Sequence, residues 1–284
     1  NDYIFWVDDF FENINQNISS TDGYSIALFG HYLMNVVENE NSEIIKKIWE
    51  RYSVGGTSLD AIKYVLETDY NTSFEFCWAD FCSRNYFNGE YQNMDNNIYF
   101  HIDQKDVSSI QSLDVSLFNP QFINSNIPFE SIFLSNQSSY NNVLKSNGLS
   151  QIIFDIIPSQ NSANLEGFVS ILSDTGSDLN QIINIQDVDN SIYVGEDDIF
   201  YYSISSDINC FINGDISLSS EVVINLGDVN FDSEINILDV ILIIDFILDD
   251  SINQIQFENS DMNLDDNINI FDIILLVEDI MSLD

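Results

Sequence analysis

Asp228–Asp239, DVNFDSEINILD, aligns without a gap on Asp261–Asp272, DMNLDDNINIFD, 33 residues further on. Each copy places Asp, Asn, Asp, Asn and Asp at positions 1, 3, 5, 9 and 12. That is the oxygen spacing of a calcium loop. In the first copy Asp228, Asn230 and Asp232 offer side-chain oxygens and Glu234 its backbone carbonyl. Asn236 stands where a ligand acts through water, and Asp239 where a carboxylate closes the shell. The second copy repeats the set with Asp261, Asn263, Asp265, the carbonyl of Asn267, Asn269 and Asp272. Ile235 and Ile268 fill position eight, where paired loops pack together. The pattern predicts two Ca²⁺ sites; the alternative is a pair of acidic helix caps. A sharp turn at position six favours Gly, but Ser233 and Asp266 stand there. Each exchange costs about 1 kcal/mol against Gly, so weakened affinity is expected rather than lost binding.

An apolar run of helical character follows each loop at once. Residues 226–284 contain 15 carboxylate side chains and neither Lys nor Arg. Two bound Ca²⁺ would offset part of this charge. Without metal, so short and so acidic a segment should fold poorly.

The acidity extends to the whole chain. Its 284 residues carry 47 Asp plus Glu against 7 Lys plus Arg, a net charge of −40. Such a surface repels nucleic acid and anionic membranes and attracts cations. The most apolar run, Val240–Leu248, is short and is broken by Asp245, so no membrane insertion is expected. With 45% hydrophobic and 13% aromatic residues there is material for packed cores. The sequence opens at Asn1 in mid-pattern, which points to a fragment or a processed product. Cys77 and Cys82 are five apart in a helical stretch, at least about 7.5 Å along the axis and too far for a disulfide.

Residues 1–94 read as a helical segment. Tyr3–Phe11 is aromatic-rich, and Leu28, Phe29, Tyr32, Leu33, Val36 and Val37 recur on one helical face. Thr57 with Asp60, and Thr72 with Glu75, have capping-box spacing. Residues 95–225 change to short Ile-, Val-, Phe- and Tyr-rich runs separated by Asn, Ser, Asp and Gly. The runs are Leu113–Phe118, Ile132–Leu134, Ile152–Ile157, Gly167–Leu172, Ile182–Ile185, Ile199–Ile204 and Ser220–Ile224. This spacing predicts an antiparallel β-sandwich. The fold class is therefore multidomain: helices, a sandwich, and a small all-α calcium-binding module of two loop–helix repeats over 226–284.

Catalytic signatures are absent. There is no phosphate loop and no GxSxG. The only histidines, His31 and His101, are not followed by Glu, so no HExxH zinc site is present in this chain. Paired carboxylates for glycoside hydrolysis need no fixed spacing and remain open.

The C-terminal segment resembles a type I dockerin. The GDVN opening, which reads SDMN in the second copy, and in both copies the I-N-x-x-D close and the following helix carry the resemblance over Gly227 to about Ser282. It implies calcium-dependent docking onto a cohesin domain of a scaffold or cell-surface protein, in a secreted setting. The family's recognition positions fall here on Ile237-Leu238 and Ile270-Phe271, apolar pairs in place of the hydroxyl residues common in cellulosomal members. The alternative is that these pairs pack the two helices together. A second resemblance covers residues 1–94. Tyr24–Leu33, Ile44–Glu50, Leu59–Val65 and Ser73–Gly89 are similar to the stretch downstream of the zinc motif in secreted bacterial HExxH metalloproteases. It implies a cargo that is the non-catalytic C-terminal part of such an enzyme. The alternative cargo is carbohydrate-active or carbohydrate-binding, within a polysaccharide-degrading assembly.

Overall fold

The computed structural model describes residues 10–11, 13–20, 27–39, 41–87, 121–122, 127–172, 181–185, 192–219, 225–230, 235–249, 254–265 and 267–282. Of the expected elements, Leu113–Phe118, Ser220–Ile224, most of Tyr3–Phe11 and the boundary near residue 94 lie outside these, as does His101.

After a short helical stretch at residues 10–11 and a 3-10 turn at Ile18–Ser20, the described residues form α1 (Ala27–Tyr32), which runs on into a π-helical turn at Leu33–Val37, then α2 (Glu43–Ser53), α3 (Ser58–Asp69) and α4 (Phe74–Arg84). The capping box expected at Thr57 is formed. The Asp60 amide donates to Thr57 Oγ1 at 3.1 Å, and the Thr57 amide to Asp60 Oδ2 at 2.9 Å. The one expected at Thr72 is not. Ser73 caps α4 instead, accepting from the Phe76 amide, which frees Glu75 to pair with Lys63 at 2.6 Å. An adjacent hydroxyl one residue closer to the helix won the cap.

Apolar burial places α4 at the centre. Phe29, Phe74, Trp78 and Phe81 meet edge to face and stacked, with ring centroids 5.0–6.0 Å apart. Such contacts add to the area that each ring removes from water. Cys77 and Cys82 lie buried and unbridged on α4, and burial pushes both thiols up to about 12.

The strands are β1 (Gln121–Phe122), β2 (Ile127–Leu134), β3 (Ser139–Pro158), β4 (Leu165–Leu172), β5 (Gln181–Asn184), β6 (Ile192–Ser206) and β7 (Cys210–Ser219). They join in the order β2-β7-β3-β6-β4-β5, antiparallel throughout, while β1 pairs with β3 in parallel. The long β3 changes partner along its length. Residues 139–152 pair with β6 and residues 151–158 with β7, so one strand serves two halves of the path. One cluster spans both halves, from Phe129 and Ile212 to Val169, Phe200 and Ile204. The sequence pattern does not predict β7, because Asn213-Gly214 interrupts its apolar alternation. Gly214 sits at φ +130°, and a Cβ there would lie 1.8 Å from the Asp155 carbonyl oxygen, so only glycine lets β7 close on β3.

Residues 200–206 of β6 are all buried, which explains their unbroken apolar and small-residue run. Phe200, Tyr202 and Ile204 face the inter-strand cluster, while Tyr201 joins the helical one. Tyr201 stacks on Tyr86 at 5.5 Å and donates to Asn141 Oδ1 at 2.7 Å. Phe76 of α4 meets Phe168 of β4 edge to face at 5.1 Å, and Ser170 Oγ donates to the Ser83 carbonyl at 2.8 Å. Helices and strands therefore share buried side chains.

Three helices complete the chain: α5 (Ile237–Asp249), α6 (Gln254–Ser260) and α7 (Ile270–Ser282). The expected repeat helices are α5 and α7. The short α6 is an addition to the two loop–helix units, and it leads directly into the second loop. Among the described residues no helix is long and apolar enough to cross a membrane.

Candidate metal centre and docking helices

The two loops are tied into one unit. The Gly227 amide donates to the Asn259 carbonyl at 2.9 Å, and Asn259 Nδ2 donates to the Asp228 carbonyl at 2.7 Å. Thus α6, at the entrance to the second loop, clamps the entrance to the first. Gly227 adopts φ +95°, and a Cβ would meet Leu276 Cδ1 of α7 at 2.8 Å. Behind the loops Val229, Val240, Ile243, Phe246 and Leu276 form a small core, with Ile235 and Ile268 packed against it as position eight requires.

The position-1 and position-12 carboxylates, Asp228, Asp239, Asp261 and Asp272, are only 0–5% exposed. Asp239 Oδ1 accepts from the amides of Val229 and Asn230, at 2.8 and 3.1 Å, and Oδ2 accepts from the Asn236 amide at 2.8 Å. Asp272 repeats this with the amides of Asn263, at 3.3 Å, and Asn269, at 2.8 Å. Asp261 Oδ1 accepts from the Asp265 amide, and Asp265 Oδ1 from the Asn267 amide. Asn236 Oδ1 caps α5 through the Leu238 amide at 2.8 Å, and Asn269 Oδ1 caps α7 through the Phe271 amide at 2.9 Å. Each Asn therefore caps its own helix, while the Asp three residues on holds the amide of that Asn. Asn267 offers a carbonyl that takes Asn269 Nδ2 at 3.1 Å. Asn230 is half-buried and Asn263 exposed at the rim. Asp232, Ser233, Glu234 and Asp266 lie outside the described residues.

Four carboxylates are thus buried in a segment that contains no Lys or Arg. The donor set consists wholly of oxygens, which fits a hard cation of the Ca²⁺ type. Among the described residues no three His, Cys, Asp or Glu side chains converge into a metal cluster.

Residues 226–281 match the family model of the dockerin type I domain. No curated protein and no solved structure matches the chain. A C-terminal dockerin agrees with the duplicated loops and with α5 and α7, and dockerins bind Ca²⁺ and dock onto cohesins. The resemblance of residues 1–94 to metalloproteases finds no counterpart in these comparisons.

The pairs Ile237-Leu238 and Ile270-Phe271 do not pack α5 and α7 together. Ile237, Leu238, Ile270 and Phe271 are 53–64% exposed, whereas the helix contact is made by residues such as Val240, Ile243 and Leu276. Further exposed apolar residues extend both stripes: Ile241 and Leu248 on α5, and at the same repeat positions Ile274 and Met281 on α7. Sequence spacing alone did not separate the exposed face from the packed one, because both helices are apolar nearly all round. His31 lies half-buried on α1 and, among the described residues, belongs to no group of three His, Cys, Asp or Glu side chains that could hold a metal.

Proposed function

We propose that this protein is a secreted, dockerin-tagged chain whose C-terminal module binds two Ca²⁺ and docks onto a cohesin at the bacterial cell surface or outside the cell. One ion is held by Asp228, Asn230, Asp232, the Glu234 carbonyl, Asn236 and Asp239. The other is held by Asp261, Asn263, Asp265, the Asn267 carbonyl, Asn269 and Asp272. Bound Ca²⁺ neutralises the carboxylates and fixes the loop ends of α5 and α7. The observation that carries the reading is the exposure of Ile237-Leu238 and Ile270-Phe271 directly beside the buried loop carboxylates. Exposed apolar stripes of this kind mark protein interaction sites. The test is Ca²⁺-dependent capture by immobilised cohesins. Capture should disappear in EDTA and when all four recognition residues are changed to Asp. Capture that survives both treatments would overturn the reading.

The cargo, residues 1–225, divides into a helical and a β part that share buried side chains, and we infer that the two halves of the strand path close on each other as a sandwich. The reading of the cargo as the non-catalytic part of a zinc metalloprotease rests on its resemblance, whose stretches fall on α1–α4. Casein digestion with added Zn²⁺ should then be absent. A carbohydrate-active cargo is the second reading; Glu166, whose carboxyl is raised from its ordinary value by burial, then by Glu75 and Asp207, is the residue on which it can be tested. Release of reducing sugar that Glu166→Gln abolishes would select this second reading.

A further inference from the structure

The entrance of the first loop is held by the entrance of the second. Asn259 makes both bonds. Its carbonyl accepts from the Gly227 amide at 2.9 Å, and its Nδ2 donates to the carbonyl of Asp228, the position-1 residue, at 2.7 Å. Asn259 is 1% exposed, and its Oδ1 has no hydrogen-bond partner among the described residues. An unmatched buried acceptor costs free energy, so the favourable polar contribution of this side chain comes through Nδ2 alone. Two residues on stands Asp261, position 1 of the second loop. The Asp261 amide donates to the Phe257 carbonyl at 3.0 Å, which continues the last turn of α6 into that loop. Asn259 is therefore fixed from behind by the residue that opens the second loop, and it fixes the residue that opens the first. The link has no reverse counterpart in sequence. Leu226 occupies the repeat position of Asn259, 33 residues earlier, and carries no side-chain amide.

We propose that Asn259 couples the two calcium sites, so that occupancy of either loop raises the affinity of the other. This rests on the two-ion reading of the module. Ordering the last turn of α6 costs conformational entropy, and so does ordering Asp228. The Nδ2 bond joins the two ordering events into one. Whichever loop fills first bears the cost of the shared entrance, and the other then meets a carboxylate already in place. Asn259 is a positioning residue that acts through the Asp228 backbone. The coupling is reciprocal, because a factor gained at one site is gained equally at the other.

The test is calorimetric titration of the full chain with Ca²⁺. Asp265→Ala leaves the first site alone to be measured, and Asp232→Ala leaves the second. The product of the two association constants of wild type should exceed the product of these two single-site constants at least about fivefold, the lower end of ordinary coupling between sites. In an Asn259→Ala background, with the same two charge removals, the products should be equal. A residue that only supports the fold would lower every constant and leave that ratio unchanged. Circular dichroism at saturating Ca²⁺ checks folding, and the nearly isosteric Asn259→Leu replaces Asn259→Ala if that variant does not fold. Equal products in wild type, or a ratio in the Asn259 variant as large as in wild type, overturn the coupling while leaving two calcium sites standing. No Ca²⁺ binding by wild type overturns the two-ion reading and the coupling together.

Discussion

The cargo and the C-terminal module are built on opposite allocations of the same residue types. In the cargo the large side chains are inside. Trp78, Phe81, Tyr86, Phe200 and Tyr201 are completely buried, and buried polar groups such as Tyr201 and Asn141 satisfy each other by neutral hydrogen bonds. Its buried carboxylate Asp80 has Arg84 at 3.0 Å and the Tyr32 hydroxyl at 2.8 Å. In the module five of the described residues make the buried apolar core, Ile and Phe are spent on the surface, and the segment that holds the buried carboxylates contains no Lys or Arg. The cargo is held by its own side chains. On the proposed reading, the module's stability is tied to a cation from outside.

Several substitutions sharpen this contrast. Trp78→Ala should cost about 3–5 kcal/mol, because it empties the site where Phe10, Phe29, Phe74 and Phe81 converge. Thermal unfolding of the cargo should fall steeply while calcium stoichiometry by calorimetry stays the same. A change in stoichiometry would mean that the two regions fold as one. Gly214→Ala places a Cβ on the Asp155 carbonyl and should cost more than about 2 kcal/mol, again confined to the cargo transition. Thr57→Ala removes a cap on an exposed helix end and should cost about 1 kcal/mol by urea denaturation. Ile237→Ser and Phe271→Ser remove exposed groups and should alter stability by less than about 0.5 kcal/mol, yet lower affinity for a cohesin when combined.

The two regions also differed in how far they could be read in advance. Ligand spacing is a local property, so the loops, their position-eight Ile residues and the following helices were visible in one short window. The capping box at Thr57 was legible for the same reason. What escaped was set by distant partners. The strand at Cys210–Ser219 depends on Gly214 meeting Asp155, some sixty residues away in sequence, and its Asn-Gly looks like a turn when taken alone. The continuity of the strand path depends on β3 exchanging β6 for β7, which no periodicity encodes. Helix α6 is short and acquires its role from Asn259 reaching back to Asp228. Which face of α5 and α7 is exposed was likewise undecided, since apolar residues surround both helices.

The dependence of one region, and not the other, on calcium is tested most directly by hydrogen exchange of the full chain with and without EDTA. Amides of α5 and α7 should be protected with Ca²⁺ and exchange rapidly in EDTA, while those of α4 and β6 keep their protection in both. Undiminished protection of α5 and α7 in EDTA would contradict the account.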